Sequence, residues 1–185
     1  MMKRSLIALV LAAALPVAAQ ASDLDYSYVQ AGYSSTDVEG INFDGWAIKG
    51  SVAFGQSFYG VVGYENGSKS GVDLNQTHVG LGYHHGLSEN TDLFGEVHYV
   101  RDEVLGFDDN GWGVAGGVRS MLGQNFEATA KLTYADVNDF GAGWGAGVSG
   151  VYHFTKTWGA YASYDYADRD GTDLKTWGVG VRASF

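Results

Sequence analysis

The sequence predicts an all-β protein, a transmembrane antiparallel up-and-down β-barrel with ten strands favoured and eight as the alternative. Three observations carry that expectation. Apolar and polar residues alternate with period two along most of the chain, and no helical period persists. One of the two faces so defined holds no charged side chain. On that face the aromatic residues sort into two rows, separated by Val, Ala, Leu and Gly.

The chain opens on a secretory signal. Lys3 and Arg4 form a positive start, an apolar stretch runs from Leu6 to Ala19, and Ala19-Gln20-Ala21 offers a small-x-small cleavage pattern. Pro16 interrupts that stretch, which is also shorter than the roughly 20 apolar residues of a helical span. The expected division is therefore a signal peptide over 1–21 and one barrel domain over 22–185. With Lys3 and Arg4 removed, nine of the 11 basic residues remain against 21 acidic ones, a net charge of −12. That sign argues against nucleic acid as a partner. There is no cysteine, and Pro16 is the only proline, while 28 glycines and 26 aromatic residues (5 Trp, 12 Tyr, 9 Phe) are present. A proline-free mature chain suits continuous sheet, where proline would remove ladder hydrogen bonds.

Ten amphipathic segments follow, at 25–34, 43–54, 58–67, 74–85, 92–102, 110–121, 126–136, 143–154, 158–168 and 174–185. Eight strands would leave two such segments outside the barrel with their aromatics unexplained. Four connections read as tight, at 55–57, 86–91, 122–125 and 155–157. Five read as longer and acidic, at 36–42, 68–73, 103–109, 137–142 and 169–173. Short turns at one end and longer loops at the other is the layout of an outer-membrane barrel.

The uncharged face supplies the expected membrane-interface aromatics. Phe54, Phe58, Phe154, Trp158 and Phe185 lie toward the tight turns; Trp46, Trp112, Trp144 and Trp177 lie toward the loops. Trp46 and Phe54 are eight residues apart, about 20 Å along a strand tilted by about 40°, close to the height of the apolar band of such barrels. Backbone groups left unpaired in hydrocarbon cost several kcal/mol each, so a spanning sheet has to close on itself.

Short motifs resemble the small outer-membrane barrels of xanthomonads that are regulated by a diffusible signal factor. They are residues 2–16, the run Tyr26-Ser27-Tyr28-Val29-Gln30-Ala31-Gly32-Tyr33, Gly45-Trp46 with Lys49-Gly50-Ser51, and Thr91-Asp92-Leu93. The resemblance implies links to motility, biofilm and cell-cell signalling, without an agreed biochemical activity. The terminal Trp177-x-Val179-x-Val181-x-Ala183-x-Phe185 resembles the signal that the barrel-assembly machinery reads, which makes that machinery an expected partner beside outer-membrane lipid and lipopolysaccharide.

The other face turns inward in this reading and carries a charge network of Lys49, Glu65, Glu96, His98, Arg119, Glu127, Lys131, Asp165 and Arg182. Arg119 is expected directly opposite Glu127, with Arg182 at a similar depth. Lys49, Glu96 and Lys131 form a second layer, and Glu65, His98 and Asp165 a third. Such a lining is either a narrow channel or a plug of ion pairs. The plug is preferred, because small barrels leave little bore and buried charges must be paired. Tyr28, Tyr59 and Tyr161 read as lumen filling. The acidic residues near two loops, Asp102, Glu103, Asp108 and Asp109, then Asp165, Asp168, Asp170 and Asp173, are expected to stay solvated rather than hold a metal. His78 and His98 point inward with no serine at matching depth, so no catalytic site and no cofactor are expected. The role expected is non-catalytic, with short acidic loops offered outward and a narrow channel as the alternative.

Overall fold

A computed structural model describes residues 24–104, 106–138 and 141–185; the segment read as a signal peptide lies outside the described residues. Ten strands run in chain order: β1 (Tyr28–Val38), β2 (Ile41–Phe54), β3 (Phe58–Lys69), β4 (Val72–Ser88), β5 (Thr91–Val104), β6 (Phe107–Leu122), β7 (Phe126–Val137), β8 (Gly141–His153), β9 (Trp158–Arg169) and β10 (Thr172–Ser184). Each pairs antiparallel with its sequence neighbours, and β1 pairs with β10 from Tyr28↔Ser184 to Val38↔Leu174, so the sheet is a closed ten-stranded barrel. Closure leaves no edge strand with open hydrogen-bonding groups. Ten strands, rather than eight, is what the amphipathic segments required.

One set of connections differs from expectation. The longer acidic loops are mostly absent as loops, because the strands continue through them. Glu39-Gly40, Ser70-Gly71 and Asp170-Gly171 are all that joins β1 to β2, β3 to β4 and β9 to β10. Both residues of each pair have positive φ, from 47° to 88°. Two successive left-handed residues make the type I′ turn, whose twist matches that of the flanking strands. Glycine at its second position is the signal that the acidic composition obscured. At the other end, β4 reaches Ser88 through an irregularity between Gly86 and Ser88, leaving Glu89-Asn90 as the turn into β5.

The outward face holds the large apolar side chains, and they are exposed: Leu132 is 64 % exposed, Val97 55 % and Trp144 62 %. Aromatic rings on this face touch from strand to strand. Near the I′ turns Tyr33 meets Trp177, Trp46 meets Tyr64, and Tyr134 lies between Trp112 and Trp144, with centroids 4.9–5.6 Å apart. At the opposite end Phe58 lies between Phe54 and Tyr83. Phe126, Phe154, Trp158 and Phe185 are exposed as well. The interior is the reverse of an ordinary core, since Asp92, Glu127, Arg119 and Arg182 are buried beside Tyr59, Val61 and Val151.

Candidate functional site in the barrel lumen

Inward side chains are packed on glycine. The Tyr59 ring lies flat over Gly82 of the next strand, so close that a Cβ there would sit 2.1 Å from it. Tyr161 lies in the same way over Gly32 and Gly180, where a Cβ would sit 2.7 Å from its ring or hydroxyl. Alternating large and small residues on the inner wall let a narrow barrel hold rings without swelling.

A layer of side chains crosses the lumen near the tight-turn end. Arg119 of β6 donates from Nε and Nη2 to the two carboxylate oxygens of Glu127, both at 2.8 Å, in the forked arrangement that suits guanidinium. Arg182 of β10, three strands round from the β7 strand that carries Glu127, reaches the same carboxylate, donating to Oε1 at 2.8 Å and to Gln30 Oε1 at 2.7 Å. His153 Nε2 stands 3.5 Å from Glu127 Oε2. The strand register corrects one expectation: Arg119 is opposite Thr129 and Glu127 opposite Met121, so the pair is diagonal across the hairpin rather than direct. The turn is centred on 123–125, one residue later than a centre at Gly123 would require.

Residues 24–27, ahead of β1, complete this floor. The Asp25 carbonyl accepts from Arg119 Nη2 at 2.7 Å, and the Tyr26 carbonyl accepts from Ser51 Oγ at 2.7 Å. The Tyr26 ring stacks on His84 at 4.0 Å, and the Arg119 guanidinium lies 4.5 Å from the ring centre. His84 Nδ1 is 3.0 Å from Asp92 Oδ2, and the Arg182 guanidinium lies 4.1 Å above Tyr28. Guanidinium groups stacked on aromatic faces are attracted by the ring quadrupole.

Above the floor is a chamber of about 370 Å³. On one side Tyr59 donates to Glu96 at 2.8 Å, and His98 Nε2 lies 3.0 Å from the other Glu96 oxygen. His78 meets His98 edge to face. On another side Lys131 and Asp165 pair at 2.9 Å. Glu65 Oε1 accepts from Ser34 at 2.6 Å and Thr36 at 3.1 Å. Lys49 borders the same space. At the far mouth Arg169 of β9 bonds Asp102 of β5, four strands away, and Gln76 donates to that carboxylate at 2.9 Å. A second cavity of about 440 Å³ lies on the tight-turn side, bordered by Asp25, His153 and Lys156; Glu127 borders both.

All nine charged residues singled out in the sequence project into the lumen or border its chamber, with Arg119, Glu127 and Arg182 in one cluster and Lys131 with Asp165 in another. Sequence reasoning missed Tyr26, His84–Asp92 and the Arg169–Asp102 strap. Parity alone places Asp92 inward, two residues before Phe94 and four before Glu96, but nothing local announces its partner. Of the acidic residues assigned near loops, all but Asp170, which sits in the β9–β10 turn, stand on strands instead. Asp108 pairs with Arg101 at 3.0 Å, Asp173 accepts from Tyr166 at 2.6 Å, and Asp168 accepts from the Gly171 amide. Among the described residues no group of three or more His, Asp or Glu side chains could hold a metal ion, and no serine or threonine hydroxyl is hydrogen-bonded to an imidazole.

No protein-family model matches the chain, and no curated protein matches it. Among solved structures it is similar to the KdgM porin in complex with disordered oligogalacturonate, with 15 % identity, a TM-score of 0.48 and coverage of 88 % of this chain and 99 % of that one. It is similar to the NanC porin at 13 % identity and a TM-score of 0.49, covering 86 % of this chain and 100 % of that one. It is also similar to Ail, the attachment invasion locus protein of Yersinia pestis, at 17 % identity and a TM-score of 0.43, covering 88 % and 100 %.

Proposed function

We propose that the chain is an integral barrel of a Gram-negative outer membrane, closed to solute flow, with a non-catalytic structural or surface role. The membrane reading is supported by the exposed apolar band, its two rows of touching aromatics and the closed sheet, which together satisfy lipid as a solvent. Outer-membrane lipid and lipopolysaccharide are then the partners of the outward face. The Phe185 segment is read by the barrel-assembly machinery after export and removal of 1–21.

The observation that carries the closed reading is the floor. One carboxylate, 2 % exposed, is clasped by two arginines from strands far apart on the ring, and residues 24–27 fill the space beside them. A permeating ion would have to break charge-assisted bonds in a poorly hydrated layer. The acidic I′ turns at the far end add little surface, which suits support of the membrane more than a large receptor role. Planar-bilayer recording of the purified full chain tests this. No steady open-channel current is expected, and a stable ohmic conductance that Arg119→Ala alters would refute it. A narrow channel is the second reading, because the two cavities meet at Glu127 and displacement of that layer would join them.

A further inference from the structure

We infer that residues 24–26 are a removable plug: in place they close one side of the lumen, and their withdrawal toward the tight-turn end opens a water-filled passage for ions and small solutes. This rests on the closed-barrel reading and adds which part of the floor gives way.

The floor has two sides of different make. Along β6, β7 and β10 it is the ion layer, in which Arg119 and Arg182 meet on Glu127 and Arg182 also holds Gln30 of β1. Along β2, β3 and β4 it is the segment ahead of β1. Leu24 and Tyr26 are buried; they cluster with Tyr59 of β3, and Met121 of β6 packs against them. The Tyr26 ring lies 4.7 Å from that of Tyr59 and 4.0 Å from that of His84 on β4, while its carbonyl accepts from Ser51 of β2. Tyr26 borders the chamber above, and Asp25 borders the cavity on the tight-turn side. The segment thus stands between the two cavities where the ion layer does not cross.

The two sides are also held differently. β1 begins at Tyr28, so release of 24–26 breaks no ladder pair of the closed sheet. The wall reaches the backbone of these residues through side chains, Arg119 to the Asp25 carbonyl and Ser51 to the Tyr26 carbonyl, each at 2.7 Å. Ser27 is the anchor that stays behind, since its carbonyl accepts from the Phe185 amide and its hydroxyl from the Ala53 amide. When the segment leaves, Arg119 keeps both bonds to Glu127, His84 keeps Asp92, and Tyr59 keeps Glu96. No buried charge is stranded, whereas displacing Glu127 would strand two guanidinium groups. Local opening follows the smaller penalty, and here that is the segment. The space it vacates is walled by Ser51, His84, Asp92 and Arg119, polar groups that hold water.

The chain holds no cysteine, so Leu24→Cys places a single thiol in the plug. This variant, purified at full length from outer membranes, is recorded in a planar bilayer before and after a charged methanethiosulfonate is added on the tight-turn side. It is recorded again once a reductant has removed the label. The unlabelled barrel should be silent. A charged group at residue 24 cannot return to the apolar contact with Tyr59 and Met121, so labelling should produce a steady single-channel current that the reductant abolishes. Labelling of the folded barrel should be slower than that of the urea-unfolded chain by about tenfold or more, because the segment has to open first. The same folded barrel is read in every state, so a folding defect cannot imitate the result. As a second variant, Leu24→Ser with Tyr26→Ser should conduct without any reagent and Tyr26→Phe should not, with barrel closure checked by heat-modifiable mobility on gels. A labelled barrel that stays silent, or a thiol that reacts only in the unfolded chain, would overturn the plug and leave the closed reading standing. A steady current from the native chain would overturn both.

Discussion

Removing the Glu127 carboxylate should be among the most damaging single changes in the lumen. The side chain is 2 % exposed, and the two guanidinium groups it neutralises belong to residues that are each 6 % exposed. Glu127→Ala leaves Arg119 with only the Asp25 carbonyl and the Tyr26 and Tyr28 faces, and Arg182 with Gln30 and Tyr28. Breaking a buried pair by deleting one partner costs roughly 3–5 kcal/mol, since the stranded charge keeps its desolvation penalty. Two cations are stranded here, while the water that enters the space vacated by the side chain offsets part of the cost. The expectation is therefore a loss of roughly 3–5 kcal/mol rather than double that. Reversible urea unfolding of the barrel in lipid vesicles, followed by tryptophan fluorescence, measures it. The matched variant Arg119→Met with Glu127→Met should recover part of the loss, because shape-matched apolar groups leave one cation fewer to neutralise. A Glu127→Ala cost below about 1 kcal/mol would mean that the layer is hydrated like a surface, where ion pairs contribute little, and the closed floor would fall with it.

Two further outcomes are expected. Gly82→Val should destabilise the barrel by about 1–3 kcal/mol in the same unfolding assay, because its Cβ collides with the Tyr59 ring and overpacking forces that ring off Glu96; Gly40→Val, where nothing lies within 4 Å of a Cβ, should cost only the strain of a left-handed turn residue. Tryptophan fluorescence of the vesicle-inserted chain should be quenched by brominated phospholipid and hardly at all by aqueous acrylamide, since Trp46, Trp112, Trp144, Trp158 and Trp177 all lie exposed on the outward face. Dominant acrylamide quenching would remove the membrane assignment.

The barrel was legible because each strand repeats the same two-residue rule, and a one-residue slip would bring charge onto the uncharged face. Trp46, Ile48 and Val52 agree on one side of β2 while Lys49 and Ser51 agree on the other, and nine other strands repeat that vote. The ends of the strands were less legible. Composition made 169–173 look like a solvated loop, although Asp170-Gly171 is the kind of pair a type I′ turn needs. Direction around the ring was hidden almost entirely. Parity says that Arg169 and Asp102 both face inward, but that they meet across the mouth depends on the tilt and cross-section of the whole barrel. The Arg119–Glu127 pair was visible from the hairpin, yet its diagonal register rests on one residue of turn length.

Residues 24–27 connect closure of the sheet with closure of the lumen. The Ser27 carbonyl accepts from the Phe185 amide at 3.0 Å, tying the segment to the end of β10, and the Ser27 hydroxyl accepts from the Ala53 amide on β2. The same short stretch presents the Asp25 carbonyl to Arg119 on β6, across the barrel. These contacts require that β1 be already seated between β2 and β10, because only then do the three strands present their groups to one segment. Arg182, which shares Glu127 with Arg119, is itself on β10 and opposite Gln30 of β1. An unclosed sheet would therefore leave both arginines short of partners at the same time as it left β1 and β10 with open backbone groups. The lumen charges reinforce the β1–β10 seam, which is the pairing of greatest sequence separation and the most expensive in loop entropy.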